Sequence, residues 1–275
     1  MKNTIAVLAL SSLFAVSACN KPDKNIQNID KVETAQPEKF VVDSVKIEDS
    51  TKIADSLSAQ FDSKLLVFPT IKDKKLLDSI YFNIKGNTDY SKQGLQKFLE
   101  KDKADYFKSV KNDSKDFISD IRFSLEWYES SGMTMVSNKN DYMHIEYSWG
   151  SYSGGAHDNF GFSERVFDLK NNKKVELKDI TSMSKKQLET LLKKNINKMN
   201  GGATDENGEI NNSDMLLEDI IPPTANFYFD DKNLYFHYSP YEITAFAAGD
   251  ITIPISFEEL KATLTPEFKK RMNIK

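Results

Sequence analysis

A glycine-rich segment near the middle of the chain holds the residues best suited to contact a ligand. It reads Tyr152-Ser153-Gly154-Gly155-Ala156-His157. Paired glycines let backbone amides approach an anion or a sugar closely, and an imidazole beside them can exchange hydrogen bonds with either. The same glycines also permit a bend between two strands, which His157 would fix by a hydrogen bond. Tyr152, Gly154, Gly155 and His157 are therefore candidate ligand-binding residues, with a purely structural bend as the alternative.

An aromatic loop closer to the C-terminus is the second candidate region. It contains Tyr238, Pro240, Tyr241 and Phe246. Aromatic rings at a loop surface can stack on sugar rings or hold a protein partner. The alternative is a packed corner of the fold. We add Tyr241 to the candidate ligand-binding residues.

The signal for a metal site is weak. His144 and Glu146 are two apart in a predicted strand, so both lie on one face and could form the edge of such a site. A third ligand would have to be His157, Asp158 or His237, and the spacing requires none of them. The sequence therefore predicts no bound metal and no cofactor.

The sequence lacks the glycine motifs of several common enzyme classes. No nucleophile elbow, phosphate loop or dinucleotide-binding fingerprint occurs. We therefore name no catalytic residues and favour a protein that is not an enzyme. The alternative is a hydrolase that uses carboxylates such as Glu146, Asp158 or Glu242 as acid and base.

Composition and charge argue against a nucleic-acid partner. The 275 residues carry a formal net charge of −4, and only three of the 37 basic residues are arginine, the side chain best suited to phosphate. A single cysteine excludes an internal disulfide and a cysteine-based zinc site.

The N-terminus has the pattern of an export signal. An apolar stretch from Thr4 to Val16 is shorter than the roughly 20 residues that a spanning helix needs. It ends in Val16-Ser17-Ala18-Cys19, which resembles the lipobox of bacterial lipoproteins. That resemblance implies cleavage of residues 1–18, lipidation of Cys19 and anchoring in the cell envelope, with Asn20 favouring the outer membrane. An ordinary secretory signal is the alternative.

The next segment, residues 19–60, has the composition of a linker. It is polar, contains Pro22 and Pro37, and lacks a sustained apolar face. We expect it to be a flexible stalk between the lipid and a folded body that starts near Leu65.

The body shows helical and strand periodicity in separate blocks. Apolar spacing predicts helices at 72–84, 91–110, 184–199, 215–221 and 257–264, and alternation predicts strands that include 142–152, 160–169, 226–229, 234–238 and 250–255. Ser130-Ser131-Gly132 predicts a turn between two strands. Because helices and strands do not alternate as βαβ units, the expected class is α+β, an antiparallel sheet with helices packed on it.

Four segments together resemble a known extracytoplasmic domain family. They are Tyr152-Ser153-Gly154-Gly155-Ala156-His157; Phe167-Asp168-Leu169 with Val175-Glu176-Leu177-Lys178-Asp179-Ile180; Asn226-Phe227-Tyr228-Phe229 with Leu234-Tyr235-Phe236; and Ser239-Pro240-Tyr241-Glu242-Ile243 followed by Ala247-Ala248-Gly249 and Ile253-Pro254-Ile255. The pattern is similar to the outer part of the RsiV-type anti-sigma factor, a lysozyme receptor. The N-terminal companion of that domain also occurs in PdaC-type peptidoglycan deacetylases.

The resemblance implies an RsiV-like fold with subdomains at 61–158 and 159–275, and a binding role in the cell envelope. Its candidate ligands are lysozyme and peptidoglycan fragments, and it supplies no catalytic residues. The sequence shows neither the membrane span of an anti-sigma factor nor the metal-binding domain of the deacetylases. We therefore expect a lipid-anchored envelope protein that binds without catalysis. A peptidoglycan hydrolase and a structural or assembly lipoprotein are the alternatives.

Overall fold

A six-stranded sheet, a three-stranded sheet and a two-stranded ribbon form the framework of the computed structural model, which describes residues 40–120, 122–199, 201–206 and 208–275. The strands are β1 (Asp43–Ala54), β2 (Leu57–Val67), β3 (Leu125–Lys139), β4 (Tyr142–Tyr152), β5 (Asn159–Asp168), β6 (Lys173–Lys174), β7 (Thr204–Asp205), β8 (Gly208–Glu209), β9 (Phe227–Phe229), β10 (Asn233–Tyr238) and β11 (Ile251–Ser256). The α-helices are α1 (Lys74–Ile80), α2 (Lys92–Asp113), α3 (Leu177–Ile180), α4 (Lys185–Asn195), α5 (Phe257–Leu260) and α6 (Pro266–Met272).

The large sheet is mixed rather than purely antiparallel. Its strand order is β1-β2-β3-β4-β5-β6, and each neighbouring pair is antiparallel except β2 and β3. A parallel pair needs a long crossover, and the segment that contains α1 and α2 supplies it. The α+β class is confirmed, with one parallel ladder where the sequence predicted antiparallel pairing.

The predicted stalk, residues 19–60, is wrong from Asp43 onward. Residues 43–67 form the β1–β2 hairpin, which belongs to the large sheet. Val45 and Ile47 turn into the core, whereas most of their neighbours on β1 are exposed. Two buried residues in a long polar strand are too few to show as alternation, so the composition suggested a linker.

The predicted turn at Ser130-Ser131-Gly132 is also wrong. These residues lie in the middle of β3, a single 15-residue strand that pairs with β2 on one side and β4 on the other. The chain turns instead at Asn140 and Asp141, whose φ angles of 54° and 60° suit a two-residue hairpin turn. Serine and glycine are common in turns, but here pairing with β2 and β4 keeps these three residues in an extended conformation.

The predicted boundary between residues 158 and 159 falls inside one sheet. β4 and β5 pair from Tyr142 and Asp168 at one end to Ser151 and Asn159 at the other, and the bend 153–158 connects them. The described residues from 40 onward belong to one compact unit. The sheet is therefore continuous across the two predicted subdomains.

Hydrophobic cores lie on both faces of the large sheet. On one face α1 and α2 cover the strands, and Phe61, Leu99 and Phe167 are buried between helices and sheet. On the other face β4 and β5 pack against the three-stranded sheet, whose order is β11-β10-β9. Val166 and Phe236 belong to this second core, which α4, α5 and α6 complete.

Side chains that flank two strands of the smaller sheet cover the edge of β5. Asn226 accepts a hydrogen bond from the backbone N–H of Glu164 and donates one to the carbonyl of Phe162 at 3.1 Å. Ser239 Oγ accepts from the N–H of Phe162 at 3.0 Å. These contacts replace the neighbouring strand that β5 lacks here, and they join the two sheets.

The predicted export signal precedes the residues that the structure describes. Residues 1–39, which include the predicted lipidation site Cys19 and the first part of the predicted stalk, lie outside the described residues. Within the described ranges, no helix is both long enough and apolar enough to cross a membrane.

Candidate functional site

The glycine bend is held at both ends by a pair of tyrosines. Tyr128 and Tyr152 are directly opposite each other on β3 and β4. The Tyr152 hydroxyl donates to the carbonyl of Gly155 at 3.1 Å, and the Tyr128 hydroxyl donates to Asp158 Oδ2 at 2.7 Å. Tyr152 therefore positions the bend, and its hydroxyl is already engaged.

The two glycines have backbone angles that other residues rarely adopt. The φ angles of Gly154 and Gly155 are 99° and 113°. Neither glycine is crowded, since a Cβ atom on Gly155 would meet nothing within 4 Å and one on Gly154 only Trp127 Nε1 at 3.9 Å. The conformation of the bend, rather than a lack of space, requires glycine at these positions.

His157 leaves the bend and joins the aromatic loop, 84 residues further along the chain. Its ring stacks on Phe246 with a centroid distance of 3.9 Å and an interplanar angle of 19°. In the neutral imidazole, Nδ1–H donates to the carbonyl of Asp158 at 2.7 Å, and Nε2 accepts from the Tyr241 hydroxyl at 3.4 Å. Phe160 packs edge-on against Phe246 at 5.7 Å. We call His157, Phe160, Tyr241 and Phe246 the aromatic cluster.

The aromatic cluster is open to solvent. Tyr241 is 57% exposed and His157 is also exposed, whereas Phe160 and Phe246 are half-buried beneath them. Tyr241 has a φ of 69°, which is unusual for a residue with a side chain and is typical of functional loops. The rings can thus offer faces and edges to a ligand without rearrangement of the core.

Other residues in and near the two predicted regions have structural roles. Tyr238 is buried, and its hydroxyl donates to the carbonyl of Pro222 at 2.8 Å, so it is a core residue. Glu242 accepts from the N–H of Ser239 at 2.9 Å and shapes the loop. The sequence reasoning missed Phe160, although its position two before Phe162 on a strand places both on one face.

A chain of buried ionisable groups lies between the two sheets, away from the aromatic cluster. His144 Nε2 donates to Glu164 Oε2 at 2.6 Å, and His237 Nδ1 donates to Glu164 Oε1 at 2.9 Å. His237 Nε2 donates to Asp250 Oδ2 at 3.0 Å. Glu164 is only 3% exposed, so one buried carboxylate accepts from two imidazoles on different sheets. We call these four residues the histidine–carboxylate chain.

The pKa values in this chain and of the neighbouring Glu146 are shifted by burial, hydrogen bonds and nearby charges. Burial disfavours the charged form of His237, but the hydrogen bonds to Asp250 and Glu164 outweigh it and raise the pKa of His237 to about 9. Burial would raise the pKa of Glu164, but the two histidines lower it overall. The hydrogen bond from His237 lowers the pKa of Asp250. Burial, followed by the charge of Glu164, raises the pKa of Glu146.

Glu164 and the neighbouring Glu146 are a pair of carboxylates, like the acid and base of a glycosidase. Glu146 and Glu164 are directly opposite on β4 and β5, and their pKa values move in opposite directions. Glu164, however, is buried and uses both oxygens for histidines. The arrangement suits a structural ion chain better than a site that must admit substrate.

Of the two residues considered as the edge of a metal site, His144 belongs to the histidine–carboxylate chain, and Glu146 lies opposite Glu164. No group of three or more histidine, cysteine, aspartate or glutamate side chains in the described ranges could hold a metal ion. The ring nitrogens that face Glu164 and Asp250 donate to carboxylates instead of converging on one point. A pocket of about 200 Å³ lies beside His144, with Tyr142, Tyr228 and Phe229 among its walls.

Residues 174–258 match a domain family described as "Protein of unknown function (DUF3298)". A crystal structure of a family member from Bacteroides fragilis gives a TM-score of 0.67 at 19% identity, over 86% of this chain and 98% of that one. The fold is similar to that of the DUF3298 family. A second family structure, from Pseudomonas aeruginosa, gives a TM-score of 0.50 at 15% identity, over 83% and 96% of the two chains. No protein with a curated function matches the chain.

Proposed function

We propose that the chain is a lipid-anchored binding protein of the bacterial cell envelope, that it does not catalyse a reaction, and that it recognises a peptidoglycan fragment or a lysozyme. The main support is the aromatic cluster, in which two predicted ligand residues, His157 and Tyr241, meet at an exposed loop surface. The resemblance of Val16–Cys19 to a lipobox supports export and lipidation, and Asn20 favours the outer membrane. The resemblance to RsiV-type domains supports a binding role.

Of the two ligands, a peptidoglycan fragment suits the aromatic cluster better. The C–H groups on the face of a sugar ring pack on aromatic rings, and exposed rings beside a hydrogen-bonding imidazole provide both contact area and orientation. Lysozyme is the second candidate because it is strongly cationic, and the net charge of −4 on this chain is complementary to it.

Calorimetric titration with a soluble muropeptide and, separately, with a C-type lysozyme tests the proposal. Tyr241→Ala removes an exposed ring of the aromatic cluster, and Phe246→Ala removes the ring on which His157 stacks. Each should weaken binding at least about tenfold, since an aromatic hot spot at the centre of a binding site contributes about 2 kcal/mol or more. Tyr241→Phe keeps the ring and should retain most of the affinity.

Phe123→Ala is the matched control, because Phe123 is 67% exposed and lies outside the aromatic cluster. Binding that is unchanged in both cluster variants, or a wild-type protein that binds neither ligand, would refute the proposal. Product release from the muropeptide that disappears in Glu146→Gln would support the hydrolase alternative instead.

A further inference from the structure

A tryptophan on β4 is held flat against the large sheet with one face open to solvent. Trp149 is directly opposite Gly161 on β5. A Cβ atom placed on Gly161 would lie 2.8–2.9 Å from three atoms of the indole, Cζ2, Nε1 and Cε2. Three bonded ring atoms are too close together for a point in the ring plane to be equally far, at 2.8–2.9 Å, from all of them, so the Cβ position is above the plane of the ring. The indole therefore lies with its face on the glycine.

The opposite face of the indole is uncovered. Trp149 is 51% exposed, although Ile145 and Tyr147, which share its face of β4, are buried under the helices. A tryptophan needed only for the core would be covered in the same way. The ring therefore forms a flat exposed surface on this face of the sheet.

Polar residues surround this ring on the same face of the sheet. Ser151 is two residues away on β4, and Asn159 and Ser163 flank Gly161 on β5, so the pleat places all three on the side of the indole. A flat aromatic face bordered by hydroxyl and amide groups matches the two surfaces of a sugar ring, one of C–H groups and one edge of hydroxyls.

We propose that Trp149 is a stacking platform for a pyranose ring of an extended glycan. Gly161 is the positioning residue, because any side chain there would lift the indole off the sheet. The platform is distinct from the aromatic cluster, since Phe160 points to the opposite face of β5 from Gly161. Its test can therefore succeed or fail independently of the function proposed for the cluster.

The experiment uses the two tryptophans of the chain, Trp127 and Trp149, as separate reporters. Each gives one indole N–H signal in a nitrogen–proton correlation spectrum. The protein is titrated with the β-1,4-linked tetramer of N-acetylglucosamine and, in a second arm, with the β-1,4-linked tetramer of glucose. Each should shift the Trp149 signal and leave the buried Trp127 signal in place. Response to the first sugar alone points to amino-sugar glycans, and response to both points to β-1,4-linked glycans in general.

Two variants separate a platform from an unspecific apolar contact. Trp149→Ala should weaken binding of the tetramer, measured by calorimetric titration, at least about tenfold. Gly161→Ala keeps the tryptophan but tilts the ring, and should cause a loss of similar size. Gly161 has no left-handed backbone angle, so alanine fits its strand conformation, and a thermal melt checks that each variant is folded. Phe123→Ala should bind as the wild type does.

The proposal is overturned if neither tetramer shifts the Trp149 signal, or if Trp149→Ala binds as tightly as the wild type. It is also overturned if Gly161→Ala keeps full affinity, because the flat orientation of the indole would then be irrelevant. Loss of muropeptide binding in Tyr241→Ala with unchanged tetramer binding would show that the two surfaces act separately.

Discussion

At the scale of single residues, Glu164 determines the chemistry between the two sheets. Its carboxylate accepts from His144 on its own sheet and from His237 on the other. Glu146, directly opposite, and Asp250, beyond His237, are further ionisable groups of this region. A buried charge is tolerated only when it is paired, so the contact depends on the protonation of His237.

We expect the free energy of unfolding to decrease as the pH rises from about 6.5 to about 9. His237 stays protonated in the folded protein up to its raised pKa of about 9, but in the unfolded chain only up to about 6.5. Its stabilising contribution is therefore complete below pH 6.5 and is lost as the pH passes through 9. Glu164 and Asp250 have lowered pKa values, so their contribution is lost in acid.

Urea unfolding at a series of pH values, in the wild type and in His237→Gln, checks this expectation. The variant should be less stable at neutral pH, and its stability should change little across the alkaline window. His157→Gln alters an exposed histidine outside the histidine–carboxylate chain and serves as the matched control. A His237→Gln protein with the same slope would show that a different group titrates.

At the scale of elements, the edge of β5 explains how the smaller sheet is attached. Asn226 precedes β9 and Ser239 follows β10, and both satisfy backbone groups of β5. Both residues belong to the segments that carry the family resemblance. Their place in the structure gives those segments a physical role in joining the sheets.

Asn226→Ala should lower the free energy of unfolding by about 2 kcal/mol, because it removes the partners of two backbone groups of β5. Hydrogen exchange at the Glu164 amide should become faster at the same time. Asn138→Ala, at an exposed position on β3, is the control and should change stability by less than about 0.5 kcal/mol. Equal effects of the two variants would contradict a role for Asn226 in joining the sheets.

The elements that the sequence predicted well are those with a local signal. Ser184 and Gln187 form the expected capping box at the start of α4, and the alternation around Ile145 and Tyr147 marks β4. The predicted helix 215–221 has no such support. A 3-10 turn at 212–215 takes its place, and Leu216 pairs with Thr244 in an isolated bridge.

The candidate site was only partly predictable for the same reason. Two adjacent glycines, Gly154 and Gly155, predict a bend. The stacking of His157 on Phe246 is a contact between distant parts of the chain, which the sequence spacing does not predict. Glu164 was not singled out, because one glutamate among 41 acidic residues has no distinguishing mark until two histidines converge on it.

At the scale of the whole molecule, the N-terminal hairpin is part of the body that carries both proposed binding surfaces. β2 is the parallel partner of β3, and β1 completes the sheet over which α2 packs. Ion pairs from Lys92 to Asp43 and from Lys103 to Asp49 join α2 to β1. These pairs are at the surface and contribute little, so the buried side chains of the hairpin decide its importance.

Removal of residues 40–60 should therefore unfold the protein rather than shorten a tether. A chain of residues 61–275 loses β1 and the start of β2, with the buried side chains of Val45, Ile47, Leu57 and Ala59. Each of the three larger ones contributes about 1.5–3 kcal/mol when fully buried. Their sum is comparable with the roughly 5–15 kcal/mol that stabilises a typical domain.

Circular dichroism and thermal melts of residues 40–275 and 61–275, prepared side by side, distinguish a structural hairpin from a stalk. The longer chain should melt cooperatively, and the shorter one should be largely unfolded or aggregate at room temperature. Val45→Ala in the longer chain is a milder variant that should lower stability measurably while the fold is retained. Equal melting temperatures for the two chains would mean that the sheet is stable without its first strand. In that case the polar composition of residues 43–60 would reflect a dispensable hairpin, and the surfaces around Tyr241 and Trp149 could be studied on the shorter chain.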